Sequence, residues 1–368
     1  MNQAQAGKPL VEARDLTVVY GGQKALDVPL FQIFPNEVLG VIGPNGSGKT
    51  TLLLCLTRLI KPQTGTVSYR GVPVIDSKSV LHLHRHLAVV FQESLLLDST
   101  VRENLVVGLK LRKVPPPEIK TRTEMWLERF GIAALARRQA RTLSSGEAKR
   151  TSLARAFSLQ PEVLYLDEPF TALDGPTRQA LLEDFKSVLG ETRVTTVIVT
   201  HDRNEALALT DRVAVIMKGH IAQIGTPVEV FSAPADEEIA GFVETGNIIH
   251  GVVETQDEGL AAVRAGDLLV TACTELLPGS AVVLLLPYDD ITLEIPSPET
   301  KTTSARNRFP GVVLKMFPTG SQVRVTVDCG LHLTALITRK SAEEMKLQEG
   351  TKVVVVVKAV CIHVIERH

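Results

Sequence analysis

From about residue 11 to residue 242, short uninterrupted apolar runs alternate with stretches whose apolar residues recur at helical spacing. Residues 38–42, 163–166 and 194–200 are runs of the kind a fully buried strand needs, and residues 49–59 follow the first as a helix. Between the last two runs, Leu181, Leu182, Phe185 and Leu189 fall on one helical face. Strand–helix–strand alternation predicts parallel strands covered by helices. Pro115, Pro116 and Pro117 interrupt this region. The amphipathic stretch after them, residues 118–130 with the sole tryptophan, Trp126, predicts an inserted helical subdomain at about 93–160. His82, His84 and His86 alternate as on one face of a strand or in a loop, with no carboxylate or cysteine at ligand spacing, so solvated histidines are expected.

Beyond residue 242 strands dominate, with β-branched runs at 281–286 and 352–360. A Pro/Ser/Thr-rich linker at 295–304 divides this part. Its halves read as a repeat. Asn247 and Gly251 of the first match Asn307 and Gly311 of the second, and the runs that start at Gly279 and Gly350 end on Ile291 and Ile362. The second copy is longer by about residues 337–349. Two small OB-like barrels are the expectation. The predicted organisation is therefore an α/β domain at 1–242, a first half-barrel at 243–296 and a second barrel at 300–368.

At 368 residues the chain exceeds one ordinary core, and 44% apolar with 22% charged residues is a globular composition. A net charge of −1 offers no basic excess for nucleic acid. No apolar window suits a membrane span or a secretion signal, so a place in the cytoplasm is expected. The four cysteines, Cys55, Cys273, Cys329 and Cys361, form no CxxC pair and read as buried free thiols.

Gly43-Pro44-Asn45-Gly46-Ser47-Gly48-Lys49-Thr50 fits GxxxxGK[ST] and lies between a strand run and a helix, the setting a phosphate loop requires. Glycines let backbone N–H groups curl around phosphate oxygens, and the helix N-terminus adds its positive dipole end. Lys49 reaches the β- and γ-phosphates, and the Thr50 hydroxyl is a Mg²⁺ ligand. Asp167 and Glu168 end the second strand run. Beside a phosphate loop they read as metal holder and general base, not as solvated acids capping a strand.

Further pieces complete a resemblance to ABC ATPases over residues 11–242. Gln92 looks like the glutamine-loop residue that contacts metal and attacking water, and Leu143-Ser144-Ser145-Gly146-Glu147 looks like the signature. Asp174 looks like the D-loop aspartate, His201 like the switch histidine and Tyr20 like the aromatic that stacks on adenine. The resemblance implies ATP and Mg²⁺ as cofactors. It implies nucleotide contacts from Tyr20, from Gly43 through Thr51, and from Asp167. Thr50, Gln92 and Asp167 become metal ligands, and Glu168, His201 and Gln92 catalytic residues. It also implies a homodimer in which Ser144, Ser145, Gly146, Glu147 and Asp174 serve the partner's nucleotide. Transmembrane permease subunits would bind the helical subdomain around Trp126 and the loop after Gln92, at the cytoplasmic face of the membrane, and an external protein would capture the cargo. Ser145 stands where the family usually has glycine, and Glu147 where it commonly has glutamine. One cassette without heptads or a basic stripe argues against the DNA-repair and translation ATPases.

Ser304-Ala305-Arg306-Asn307, with Ser341, Gly350 and Lys358-Ala359, resembles the molybdate-binding-type (TOBE/MOP) barrel found after importer ATPases. Ser304, backbone amides around Arg306 and Asn307, Ser341 and Lys358 are the candidate donors for a tetrahedral oxyanion, molybdate or tungstate. The alternative is a barrel that serves dimerisation and stability alone, in an importer of sulfate, iron, sugar or polyamine. In the first half, Pro287-Tyr288-Asp289-Asp290 lacks the arginine such barrels often carry, so no ligand is assigned there.

Overall fold

The computed structural model describes residues 7–243, 246–297 and 303–367. These fall into two compact units, Met1–Pro227 and Val228–His368. Half of the linker expected at 295–304, residues 298–302, thus lies outside the described residues.

In chain order the first unit carries β1 (Val11–Tyr20), β2 (Gln23–Ile33), β3 (Val38–Ile42), α1 (Lys49–Leu56), β4 (Thr64–Tyr69), β5 (Val72–Pro73), α2 (Ser77–His86), β6 (Leu87–Val90), α3 (Val101–Leu111), α4 (Pro116–Arg129) and α5 (Ser145–Ser158). It continues through β7 (Val163–Asp167), α6 (Gly175–Thr192), β8 (Thr195–Val199), α7 (Arg203–Leu209), β9 (Arg212–Met217) and β10 (His220–Gly225). Strands β9, β3, β8, β7 and β6 run parallel, with β10 antiparallel at one edge. Every residue of β7 and β8 is buried, which is why their sequences are continuous apolar runs and not alternating ones. A second, antiparallel sheet has the order β2-β1-β4-β5.

The helical subdomain is built on stacked rings. Trp126 is 5% exposed and lies 5.0 Å, centroid to centroid, from Phe157 of α5, with Phe130 at 6.0 Å. Its indole is core, so it cannot itself form the docking face expected around it. The histidines also depart from expectation. His82, His84 and His86 sit on helix α2, which opens with a reciprocal capping box between Asp76 and Ser79. His82 and His86 share a face with ring centroids 4.5 Å apart, and His84 turns the other way to Thr57 O at 2.9 Å.

The second unit holds α8 (Pro227–Ser232), whose first residue lies just before the boundary, then α9 (Glu237–Val243), β11 (Gly246–Asp257), β12 (Leu260–Ala265), β13 (Leu268–Cys273), β14 (Ala281–Pro287) and β15 (Thr292–Glu294). The repeat then returns as β16 (Asn307–Thr319), β17 (Gln322–Asp328), β18 (His332–Thr338), α10 (Arg339–Glu344), β19 (Lys352–Val357) and β20 (His363–Glu366). The extra length of the second copy includes α10.

The boundary expected at residue 242 moves back to 227, because Ala240 of α9 packs with Val283, Leu285 and Ile365 of the strands beyond it. Nor are the copies separate barrels divided at 296–300. The sheets are β13-β12-β11-β14-β20 and β18-β17-β16-β19-β15, so each copy gives its last strand to the other's sheet. One hydrophobic core, from Ile249 to Ile362, takes residues from both copies. Of the cysteines, Cys55 and Cys329 are buried, Cys361 is intermediate and Cys273 is exposed; all four are free thiols.

Candidate nucleotide-binding site

Strand order alone brings four chain segments together. The register pairs Val41 with Val199, Asp167 with Val199, and Val90 with Leu166. The ends of β3, β8, β7 and β6 therefore lie side by side. The loop from Gly43, the Asp167-Glu168 pair, Thr200-His201 and Phe91-Gln92 emerge from one edge. Carboxyl ends of parallel strands are where such sheets build sites.

The Gly43–Gly48 loop needs its glycines. A Cβ on Gly43 would stand 2.2 Å from Ile216 O, and Gly48, at φ 106°, would place one 2.8 Å from Ala25 O. Lys49 is buried and donates to Gly43 O and Pro44 O, both at 2.9 Å. Burial holds its pKa below the usual lysine value, with Glu168 and Asp167 opposing that shift. Ser47 Oγ is buried without a hydrogen-bond partner. A lysine folded onto its own loop and an orphaned hydroxyl inside that loop fit a phosphate group. The β1–β2 hairpin leans on this loop through Ala25, and Tyr20, at its tip end, is 54% exposed.

Thr50 Oγ1 donates to Asp167 at 3.1 Å (Oδ2) and 3.3 Å (Oδ1). Asp167 is 6% exposed, and burial raises its pKa, the Thr50 bond opposing and the Glu168 charge adding. Among the described residues no group of three or more His, Cys, Asp and Glu side chains could hold a metal. One carboxylate beside one hydroxyl is the partial set of hard oxygens that suits Mg²⁺ sharing its shell with phosphate and water.

Glu168 is at the centre of a second set. Its backbone takes φ 45°, a strained value for a non-glycine residue, with its amide donating to Val199 O at 2.9 Å. His201 Nδ1 lies 3.2 Å from Oε1, Gln92 Nε2 3.5 Å from Oε2, and Thr171 Oγ1 donates to Oε2 at 3.1 Å. His201 is held from behind: Asp202 caps α7, and Arg178 of α6 bridges Asp202 at 2.5 Å and Glu205 at 2.6 Å.

The signature forms the start of α5. Ser144 is the N-cap, its Oγ accepting from the Glu147 amide at 3.3 Å while the Glu147 carboxylate accepts from the Ser144 amide at 2.7 Å. The backbone hydrogen bond holds the Glu147 carboxyl below its usual pKa, and Arg138 adds at 3.4 Å. Ser145 is exposed at the first helical position. Gly146 is buried, where a Cβ would stand 2.7 Å from Thr177 Cγ2 of α6. Asp174 caps α6, accepting from the Thr177 amide at 3.0 Å.

Of the oxyanion candidates, Ser304 and Arg306 precede β16 at the end where Asn307 pairs with Val357, so Lys358 lies at the same end. Ser341 lies apart, at the start of α10, bonded to Thr338 Oγ1. The Asn307 side chain is committed elsewhere, to both backbone groups of Thr271 at 2.7 and 2.8 Å.

Sequence reasoning missed Thr171, Arg178, Glu205, Lys149 and Arg155. For Lys149 a signal existed: it shares a helical face with Leu153 and Ala156, and a charge on an apolar stripe is out of place unless it has internal partners.

A phosphate loop at the end of β3, acids at the end of β7 and a glycine-tipped helix define a P-loop ATPase of the ABC type. The ABC transporter profile matches residues 26–171 and the TOBE domain profile residues 303–364. The molybdate/tungstate import ATP-binding protein WtpC of Pyrococcus horikoshii is 37% identical over 91% of this chain and 94% of its own. The sulfate/thiosulfate import ATP-binding protein CysA of Mycobacterium tuberculosis is 36% identical over 93% and 90%. The spermidine/putrescine import ATP-binding protein PotA of Thermobifida fusca is 36% identical over 81% and 77%. Among solved structures, cbiO1 of Clostridium perfringens aligns with TM-score 0.57 at 29% identity, covering 65% of this chain and 95% of its own. The dimeric cassette MJ0796 bound to ADP and Pi aligns with TM-score 0.55 at 26%, covering 59% and 98%. The chain belongs to the ABC transporter family, as an ATP-binding subunit that also carries a TOBE domain.

Proposed function

We propose that this chain hydrolyses ATP to drive an ABC importer of a tetrahedral oxyanion, molybdate or tungstate foremost. The observation that carries the reading is Glu168, ringed by His201, Gln92 and Thr171 beside a phosphate loop. Residues Gly43 through Thr51 hold the phosphates, and Tyr20 offers its face to adenine. Thr50, Asp167 and Gln92 hold Mg²⁺, which supplies charge neutralisation at the transferring phosphoryl group. Glu168 accepts a proton from the attacking water as that oxygen bonds to the γ-phosphorus and the bond to ADP breaks; ADP and phosphate leave. Its three neighbours fix the carboxylate, and His201 reports the γ-phosphate.

Two copies close on two nucleotides, each giving its phosphate loop to one and its Ser144-Ser145-Gly146-Glu147 tip, with Asp174, to the other. Free N–H groups at the start of α5 suit a γ-phosphate. No helix among the described residues is long and apolar enough to cross a membrane. Separate permease subunits supply the channel, with this chain at the cytoplasmic face and an external protein capturing cargo.

The cargo class rests on relatives named for molybdate/tungstate and sulfate, and on the Ser304-Ala305-Arg306 and Lys358-Ala359 residues. Ser304, Arg306 and Lys358 form the regulatory anion contact. The PotA likeness favours polyamine as the competing cargo. Calorimetric titration with tungstate, molybdate and sulfate, repeated on Lys358→Ala, tests the assignment. A preference for the first two that the variant loses supports it; equal or absent heats remove it. Mg-ATP turnover that Glu168→Gln does not alter removes the enzyme reading.

A further inference from the structure

Lys149 and Arg155 are cations on the inner side of α5, and neither has a carboxylate among its hydrogen-bond partners. Lys149 is 4% exposed, and its Nζ donates to Phe91 O at 3.3 Å and, more closely, to Gln92 O. Arg155 donates to Leu95 O at 3.0 Å and Ser94 O at 3.3 Å. Taking an ammonium out of water is costly, and a Lys is rarely buried unless its charge is met. Burial lowers the pKa of both groups. All the hydrogen bonds of these two cations go to one short loop, at four of its carbonyls. Leu95 within that loop stands at φ 40°, a conformation an isolated leucine disfavours, so the loop's path is imposed from outside.

We propose that Lys149, with Arg155, is a positioning residue that fastens the Gln92 loop to the signature helix, making the two one mechanical body. This rests on the reading of Gln92 and of the signature given above. Gln92 faces the nucleotide of its own copy through Glu168, at 3.5 Å. The tip of the same helix, capped by Ser144, faces the nucleotide of the other copy. A loop shift that follows gain or loss of phosphate in one site is therefore passed along α5 to the second site. The two ATPs become coupled inside one subunit, without a direct contact between them. Lys149 touches no nucleotide in this arrangement, so binding and turnover separate.

The test uses the full chain with Lys149→Met, which keeps length and apolar stem but removes the donors, and Lys149→Arg, which keeps them. Arg155→Met is the second variant. For Lys149→Met the expected results are an ATP KM within about twofold of the parent, kcat lowered roughly tenfold or more and a Hill coefficient falling toward one. Lys149→Arg restores most of both, which loss of folding alone would not allow. Hydrogen exchange adds a readout independent of turnover: amides of residues 91–97 exchange at least about tenfold faster in Lys149→Met and Arg155→Met. Unchanged exchange with parental kcat and Hill coefficient overturns the clamp. If the parent itself fails to hydrolyse ATP, the ATPase reading fails, and the exchange experiment still decides whether the clamp exists.

Discussion

The side chain of Asn247 closes on the backbone of Thr334, accepting from its amide at 2.7 Å and donating to its carbonyl at 2.9 Å. Asn307, sixty positions on and at the matching place of the second repeat, does the same to Thr271, at 2.7 and 2.8 Å. The hairpin turns repeat the exchange: Gly266 lies under Leu331 and Gly330 under Leu268, each with room of 3.7 Å for a Cβ. Each copy thus satisfies backbone groups on the other's edge strand, β18 or β13, as befits sheets that also trade their last strands.

Removing either asparagine leaves a half-buried amide and carbonyl unpaired. Asn247→Ala and Asn307→Ala are each expected to cost ~2 kcal/mol in the second unit, the low end for two groups at about 1–3 kcal/mol each, because water reaches part of each site. Hydrogen exchange reads the effect locally: the Thr334 amide loses protection in the first variant and the Thr271 amide in the second. Protection kept at both would show that the clasp contributes nothing.

Gly146 tests the seat of the signature. Gly146→Ala places a methyl 2.7 Å from Thr177 Cγ2. Overpacking of this kind costs ~1–3 kcal/mol or moves the helix. Turnover should fall at least about tenfold with ATP affinity kept. Gly146→Ala/Thr177→Ser removes the opposing methyl and should recover most of the loss. No recovery means that glycine serves the phosphate directly and not the packing against α6.

Arg178 tests the support behind His201. The Glu205 carboxyl is raised by burial, while bonds from Thr200 and Arg178 oppose the shift. Arg178→Met strips that compensation from a buried acid; because the Arg178 side chain is itself 35% exposed, the expected effect is ~2–3 kcal/mol, below that of a fully buried pair. The sign with pH is fixed. A carboxyl whose folded pKa lies above its unfolded value binds protons more readily when folded, so stability falls as pH rises between the two values. The deficit of Arg178→Met should therefore shrink as pH drops from 8 toward 5, read by urea midpoints. A deficit independent of pH would place the cost in packing.

Much of the first unit was legible because its cues are local. Runs such as Val163–Asp167 admit one reading when acids follow them and a phosphate loop precedes them. The histidines of α2 misled because alternation over so short a stretch fits two periods. The decisive sign was the Asp76-x-x-Ser79 cap just upstream. The exchanged strands could not be read, since equal copies carry no record of whose sheet each strand joins. The bonds of the Asn307 side chain were hidden for the same reason: its partner, Thr271, lies in the other copy. Ser145 looked like a departure needing an explanation. It occupies an exposed helical start without positive φ, so the backbone there does not require glycine.

The central claim is that two copies close around Mg-ATP. A structure of the Glu168→Gln protein loaded with Mg-ATP tests it most directly. Two nucleotides are expected, each held by Gly43–Thr50 of one copy and covered by the Ser145–Gly146 tip of the other. Nucleotide bound in the loop with those tips turned to solvent, or no nucleotide bound at all, would contradict it.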